Sequence, residues 1–144
     1  METTQENNNT PTGLPILVIE DEIKVHEVLK LQAQKEDLNF TFAANGRDGI
    51  DKLRSAEIPF TAVLLDIHMP ETDGFWFLEE KKKDPALAEI PVVIFTNLSN
   101  PDLIKRAMDL GVKGYLVKAH HSIQNVMQEV KKCANGETCA VDWH

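Results

Sequence analysis

Basic residues are in short supply in this chain, cysteine is scarcer still, and no apolar run is long. Lys and Arg number 15 against 23 Asp and Glu, a formal net charge of -8. A surface of that sign repels a phosphate backbone, and no basic stripe offsets it, so direct nucleic-acid binding is not expected. The one positive run, Lys81-Lys82-Lys83, follows Glu79-Glu80 and reads as a solvated helix face. Only two cysteines are present, Cys133 and Cys139. With no basic-then-apolar leader at the N-terminus they read as free thiols, and the compartment as cytoplasmic. Their spacing, with His120, His121 and His144 nearby, matches no closed tetrahedral zinc motif. The longest apolar stretches, such as residues 91–95, fall far short of the roughly 20 residues that span a membrane. No internal repeat is found.

What the chain does have is enough length for one domain with a real core, at 144 residues. Residues 1–13 are polar and rich in Asn and Thr, and read as a flexible tail. Residues 14–136 carry the domain, and 137–144 form an extension beyond its last helix. Short apolar runs at 14–20, 40–44, 60–66, 91–95 and 113–117 alternate with stretches of helical periodicity. Several runs are continuously apolar and β-branched, such as Ile16-Leu17-Val18-Ile19, the pattern of strands covered on both faces. The helices are expected over residues 23–35, 46–56, after Gly74, from Pro101 toward Gly111, and from Ile123 toward Gly136. The aromatic trio Phe75, Trp76 and Phe77 reads as packing against the sheet rather than as a cofactor box. Five strands alternating with five helices predict a doubly wound α/β fold, a five-stranded parallel sheet with helices on both faces.

In open α/β sheets, sites form beyond the carboxyl ends of the strands. Those ends carry Glu20-Asp21, Asp66, Thr96 and Lys118; only the second strand lacks a charged or hydroxyl group there. Two carboxylates about 4 Å apart repel by about 4 kcal/mol at an effective dielectric near 20. A third worsens this, and the usual relief is a raised pKa, a paired cation or a metal. Oxygen-only ligands suit a hard ion such as Mg²⁺, which keeps waters that a phosphate can replace. Asp66 could then attack phosphorus as a carboxylate nucleophile, with Lys118 and Thr96 stabilising charge on the phosphoryl oxygens. Taken singly, Asp21 reads equally well as a helix cap, Thr96 as a turn residue and Lys118 as a solvated lysine. Their coincidence on separate strand ends favours a site.

These residues resemble the receiver domains of two-component response regulators. The matching pieces are Ile16-Leu17-Val18-Ile19-Glu20-Asp21-Glu22, Leu64-Leu65-Asp66-Ile67-His68-Met69-Pro70 with Gly74, Phe95-Thr96, and Gly114-Tyr115-Leu116-Val117-Lys118. The resemblance implies a flavodoxin-like strand order 2-1-3-4-5 and a stand-alone, chemotaxis-regulator-like protein. It implies that Asp66 is the phospho-acceptor, that Asp21 and Asp66 bind Mg²⁺ directly, and that Glu20 acts through a water. The backbone carbonyl of His68 would be a further ligand, and Thr96 and Tyr115 the switch pair, the aromatic ring turning inward on phosphorylation. The implied partners are a sensor histidine kinase or phosphotransfer protein and a downstream effector protein. The implied catalysis is limited to the protein's own phosphorylation and dephosphorylation.

Three positions depart from or vary within the family pattern. Ala119 follows Lys118 where the family usually has Pro after a cis bond. A non-proline cis bond costs about 3 kcal/mol, which leaves the state of the Lys118–Ala119 bond, and the placement of Lys118, open. Asn97 stands where a small residue is usual, and His68 occupies a variable position; both are candidates for tuning the phosphoryl lifetime. An aspartate-nucleophile phosphatase would resemble Asp-x-Asp, but His68 stands at the second position. A flavin carrier would need a phosphate loop where Glu20-Asp21-Glu22 stands. The remaining alternative is a phosphorylation-independent, receiver-like interaction scaffold.

Overall fold

A computed structural model of the chain describes residues 13–69 and 73–143. Most of the expected N-terminal tail, Pro70 and His144 lie outside the described residues. Five strands run in chain order as β1 (Leu14–Ile19), β2 (Leu38–Ala43), β3 (Ala62–Leu65), β4 (Val92–Thr96) and β5 (Gly114–Val117). Between and after them come α1 (Ile23–Lys35), α2 (Gly46–Ser55), α3 (Gly74–Lys83), α4 (Pro101–Asp109) and α5 (Ile123–Ala134). All strand pairs are parallel, in the order β2-β1-β3-β4-β5. This is the doubly wound, flavodoxin-like sheet.

Alternate residues of each strand feed opposite faces, so the continuous apolar runs build two cores. Leu17, Ile19, Val63, Leu65 and Ile94 meet Ile50, Leu53, Phe77 and Ile104 from α2, α3 and α4. Ile16, Val18, Leu64, Val93 and Leu116 meet Leu29, Ala33, Val126 and Val130 from α1 and α5. Side chains start four of the helices: Asn45, Asp73, Asn100 and Ser122 each accept a backbone amide in the first turn. α1 is the exception, for its N-cap Glu22 makes no side-chain cap bond, and Asp21 does not supply one. At the other ends, Gly111 and Gly136 donate back to Met108 and Cys133 and close α4 and α5.

One surface expectation is corrected. Lys81 is not solvated: it is buried, and its Nζ donates to the carbonyl of Ala88 at 3.0 Å. It lies three and four residues beyond Leu78 and Phe77, hence on the helix face that packs inward. Lys82 and Lys83 remain exposed. At the other end of α3, a Cβ on Gly74 would sit 2.6 Å from Ile67 Cα, so only glycine lets the helix start against the β3 loop. The Lys118–Ala119 bond is trans, since no peptide bond among the described residues is cis. Lys118 instead opens a single 3₁₀ turn, Lys118–His120.

Candidate functional site

β1, β3, β4 and β5 end side by side and deliver their polar residues to one open cleft of about 340 Å³. The Glu20 amide donates to the Ala43 carbonyl and the Asp66 amide to the Ile19 carbonyl, each at 3.0 Å, which fixes the chain just beyond two strand ends. His26 anchors the same corner from α1. Its ring stacks on Phe42 with centroids 4.5 Å apart, and its Nε2 bonds the Glu20 carbonyl oxygen.

Carboxylate oxygens of Glu20, Asp21 and Asp66 lie within 4.8 Å of one another. Glu20 and Asp66 are buried and Asp21 is exposed. Lys118 is the counter-charge, its Nζ 2.8 Å from Glu20 Oε1 and 3.2 Å from Asp66 Oδ2. Backbone amides take the remaining oxygens. Glu22 donates to Glu20 Oε2 at 3.2 Å and His68 to Asp66 Oδ1 at 3.0 Å. Both buried carboxylates are therefore oriented by groups of the chain itself.

The ion pair does not cancel the cost of burial. Burial raises the Glu20 carboxyl, the Lys118 hydrogen bond opposes the rise, and the Asp66 charge adds to it; the net shift is upward. Burial alone would lower the Lys118 ammonium, but the hydrogen bond to Glu20 and the charge of Asp66 reverse this and leave it raised. Lys118 is thus held charged, while Glu20 still carries the strain of three carboxylates facing one cation. A donor set of carboxylate oxygens alone, with negative charge in excess, is chemistry that a hard divalent cation fits.

Thr96 is fully buried, and its Oγ1 accepts the Leu98 amide at 3.4 Å. Tyr115 is fully buried too, and its hydroxyl donates to the Leu98 carbonyl at 2.7 Å. Leu98 therefore tethers both residues of the expected switch pair. The ring lies inside the protein, against the Leu98 loop. Burial, with the Asp66 charge adding to it, pushes the Tyr115 phenol up to about 12. His68 and Asn97 are exposed residues of the cleft. Of the eight expected site residues, six line the cleft, Glu20 joins it through Lys118, and Tyr115 borders it through Leu98.

Sequence reasoning missed two sets of supports. One is His26. The other is Asp142, which meets His120, His121 and the Val117 amide on the far side of the Lys118 turn. Neither had a local signal, because the partners are far apart in the chain.

The response regulator receiver domain model matches residues 16–131 of this sequence. The chain belongs to that family. The receiver is 32% identical over 128 residues to the probable methanogenesis regulatory protein FilR2 of Methanothrix harundinacea, covering 81% of each chain. It is 30% identical over 111 residues to the chemotaxis protein CheV3 of Helicobacter pylori. That match covers 72% of this chain and 36% of CheV3, so the receiver spans about a third of that longer relative. Among solved structures it is similar to the phosphorylated cyanobacterial phytochrome response regulator RcpA, with a TM-score of 0.69 and 28% identity, covering 83% of this chain and 89% of that one.

Proposed function

We propose that Asp66 accepts a phosphoryl group from a phosphohistidine, in a reaction that depends on Mg²⁺, and that the adduct switches a protein-interaction surface in phosphorelay signalling. The observation that carries this reading is the position of Asp66: buried at 7% exposure, yet lining an open cleft between two other carboxylates, Thr96 and Lys118. A lone structural aspartate would not sit where its charge is opposed by its neighbours.

The chemistry follows from the groups in place. An Asp66 carboxylate oxygen attacks phosphorus; a P–O bond forms, the P–N bond to the donor imidazole breaks, and the electron pair stays on that nitrogen. Bound by Asp21, Asp66 and the His68 carbonyl, with Glu20 reaching it through water, Mg²⁺ would screen charge on the phosphoryl oxygens. Lys118, already 3.2 Å from Asp66 Oδ2, turns to a phosphoryl oxygen, and the Thr96 hydroxyl takes another. Moving Thr96 disturbs its contact with the Leu98 amide, and Leu98 also holds Tyr115. The altered loop then re-sets the surface of α4, β5 and α5, which an effector protein reads. Asn97 and His68, at the mouth, set how readily water reaches the acyl phosphate. The donor is a sensor histidine kinase or phosphotransfer protein, in keeping with a cytoplasmic protein whose two thiols are free. On this reading the protein turns over nothing but its own phosphoryl group.

The alternative is a phosphorylation-independent, receiver-like interaction scaffold, in which the hydrogen bond from buried Tyr115 to the Leu98 carbonyl would be a fixed tie rather than a switched one. Intact mass after incubation with acetyl phosphate discriminates the two. One added phosphoryl group that needs Mg²⁺ and is absent in Asp66→Asn is the expected result. No adduct, with beryllofluoride also failing to bind, would leave the scaffold.

A further inference from the structure

The segment after α5 does not hang free. It runs along the outer edge of β5, where Tyr115 pairs in parallel with Val141. The Tyr115 amide donates to the Ala140 carbonyl at 3.0 Å, and the Asp142 amide to the Tyr115 carbonyl at 2.9 Å. Buried Glu129 of α5 accepts the Ala140 amide at 2.8 Å and holds the segment from its other side. Gly114 makes the approach feasible, because a Cβ there would lie 2.9 Å from Cys139 Cβ and 3.1 Å from the Ala140 oxygen. The segment is thus a short strap that ends at Asp142, next to the turn that carries Lys118.

A single oxygen of Asp142 hydrogen-bonds two groups that flank that turn and has a third nearby. Oδ2 accepts the Val117 amide at 2.9 Å, lies 2.7 Å from His121 Nε2 and 3.8 Å from His120 Nδ1. The second nitrogen of His121 meets the Asn125 side chain in the first turn of α5. Val117 precedes Lys118, and the two histidines follow it. One carboxylate therefore pins the turn at both ends. Lys118 needs such a mount, for it is a point charge on a flexible stem, and where its backbone stands decides whether Nζ reaches both Glu20 and Asp66.

We propose that Asp142 is a positioning residue for Lys118: through the Val117 amide and the imidazole of His121 it holds the Lys118–His120 turn so that the ammonium stands against Asp66. The inference rests on the phosphoryl-accepting role of the site, and its test has one arm that does not.

The first arm follows acyl phosphate formation from acetyl phosphate by intact mass, at varied Mg²⁺. Asp142→Ala is expected to lower the maximal rate about tenfold, as misplacing a catalytic group does, with the Mg²⁺ needed for half-maximal rate unchanged. Asp142→Asn, which keeps an oxygen for the Val117 amide, recovers most of the rate. In Lys118→Ala the further change Asp142→Ala costs nothing, because there is no ammonium left to position. Multiplicative losses in the double variant overturn the proposal. The second arm needs neither Mg²⁺ nor a phosphodonor. The Lys118 ammonium is expected to give a protected ¹⁵N–¹H signal in the wild type, lost to fast exchange in Asp142→Ala and retained in Asp142→Asn; a wild type without that signal overturns the proposal. A signal unchanged in Asp142→Ala overturns the proposal. If the wild type takes up no phosphoryl group, the receiver chemistry fails while this signal still decides the positioning role. Should Asp142→Ala not fold, His121→Ala with Asp142→Asn carries the same comparison.

Discussion

Glu20 shows how one side chain's environment becomes a property of the whole protein. Burial holds its carboxyl above the ordinary value of 4.5, Lys118 notwithstanding. The folded state therefore binds this proton more tightly than the unfolded chain. Its favourable contribution is complete below about pH 4.5 and is lost as the pH rises through the folded value. Glu20→Gln, which cannot ionise, is expected to raise the metal-free melting temperature at neutral pH and to lose that advantage on acidification. A melting temperature at pH 7 below that of the wild type would mean that the Lys118 pair outweighs burial. Tyr115 offers a cleaner titration, being the chain's only tyrosine. Phenolate absorbance should appear with a midpoint near 12. A midpoint near 10 would place the ring in solvent rather than against Leu98.

Elements meet at distances that tolerate little change. α3 starts at Gly74 with the Ile67 backbone where a side chain would stand, and backbone cannot swing aside as a flexible side chain can. Gly74→Ala is expected to destabilise the fold by about 1–3 kcal/mol, the usual cost of overpacking, read as a lower urea midpoint with unchanged slope. A midpoint within error of wild type would mean that the loop between Asp66 and α3 gives way freely. The same helix explains why Lys81 departs from the solvated face expected of the run. A run of three lysines necessarily wraps about 200° around a helix, so one of them can face inward even when the run looks solvated. Its ammonium is pulled down to about 8 by burial, the Glu89 charge opposing this only in part.

Over the whole molecule, the acidic balance and the clustered carboxylates point the same way. A cation that binds only the folded state adds about 2.7 kcal/mol at a hundred times its Kd. Mg²⁺ is therefore expected to raise the melting temperature of the wild type well beyond the effect of sodium at equal ionic strength. Asp21→Asn should lose most of that rise. An equal rise in both proteins would assign the effect to general screening of the net charge of -8 rather than to the cleft.

The sequence by itself determined the alternation of strands and helices and the residues that stand at strand ends. Both are local properties: an apolar β-branched run declares a buried strand, and whatever follows it must emerge at the sheet edge. It also foretold the start of α4 at Pro101 and the ends of α4 and α5 toward Gly111 and Gly136, which depend on one turn of chain. Only the tertiary structure decided which partners these residues take. Lys118 meets Glu20 and Asp66 across 98 and 52 residues of chain. Within the extension over residues 137–144, Val141 pairs with β5 and Asp142 meets the Val117 amide beside the Lys118 turn. The buried Tyr115 hydroxyl meets the Leu98 carbonyl across 17 residues of chain. Such pairings have no period or motif to announce them, because they arise only when crossovers bring separate strands side by side and leave one edge for another segment to cover.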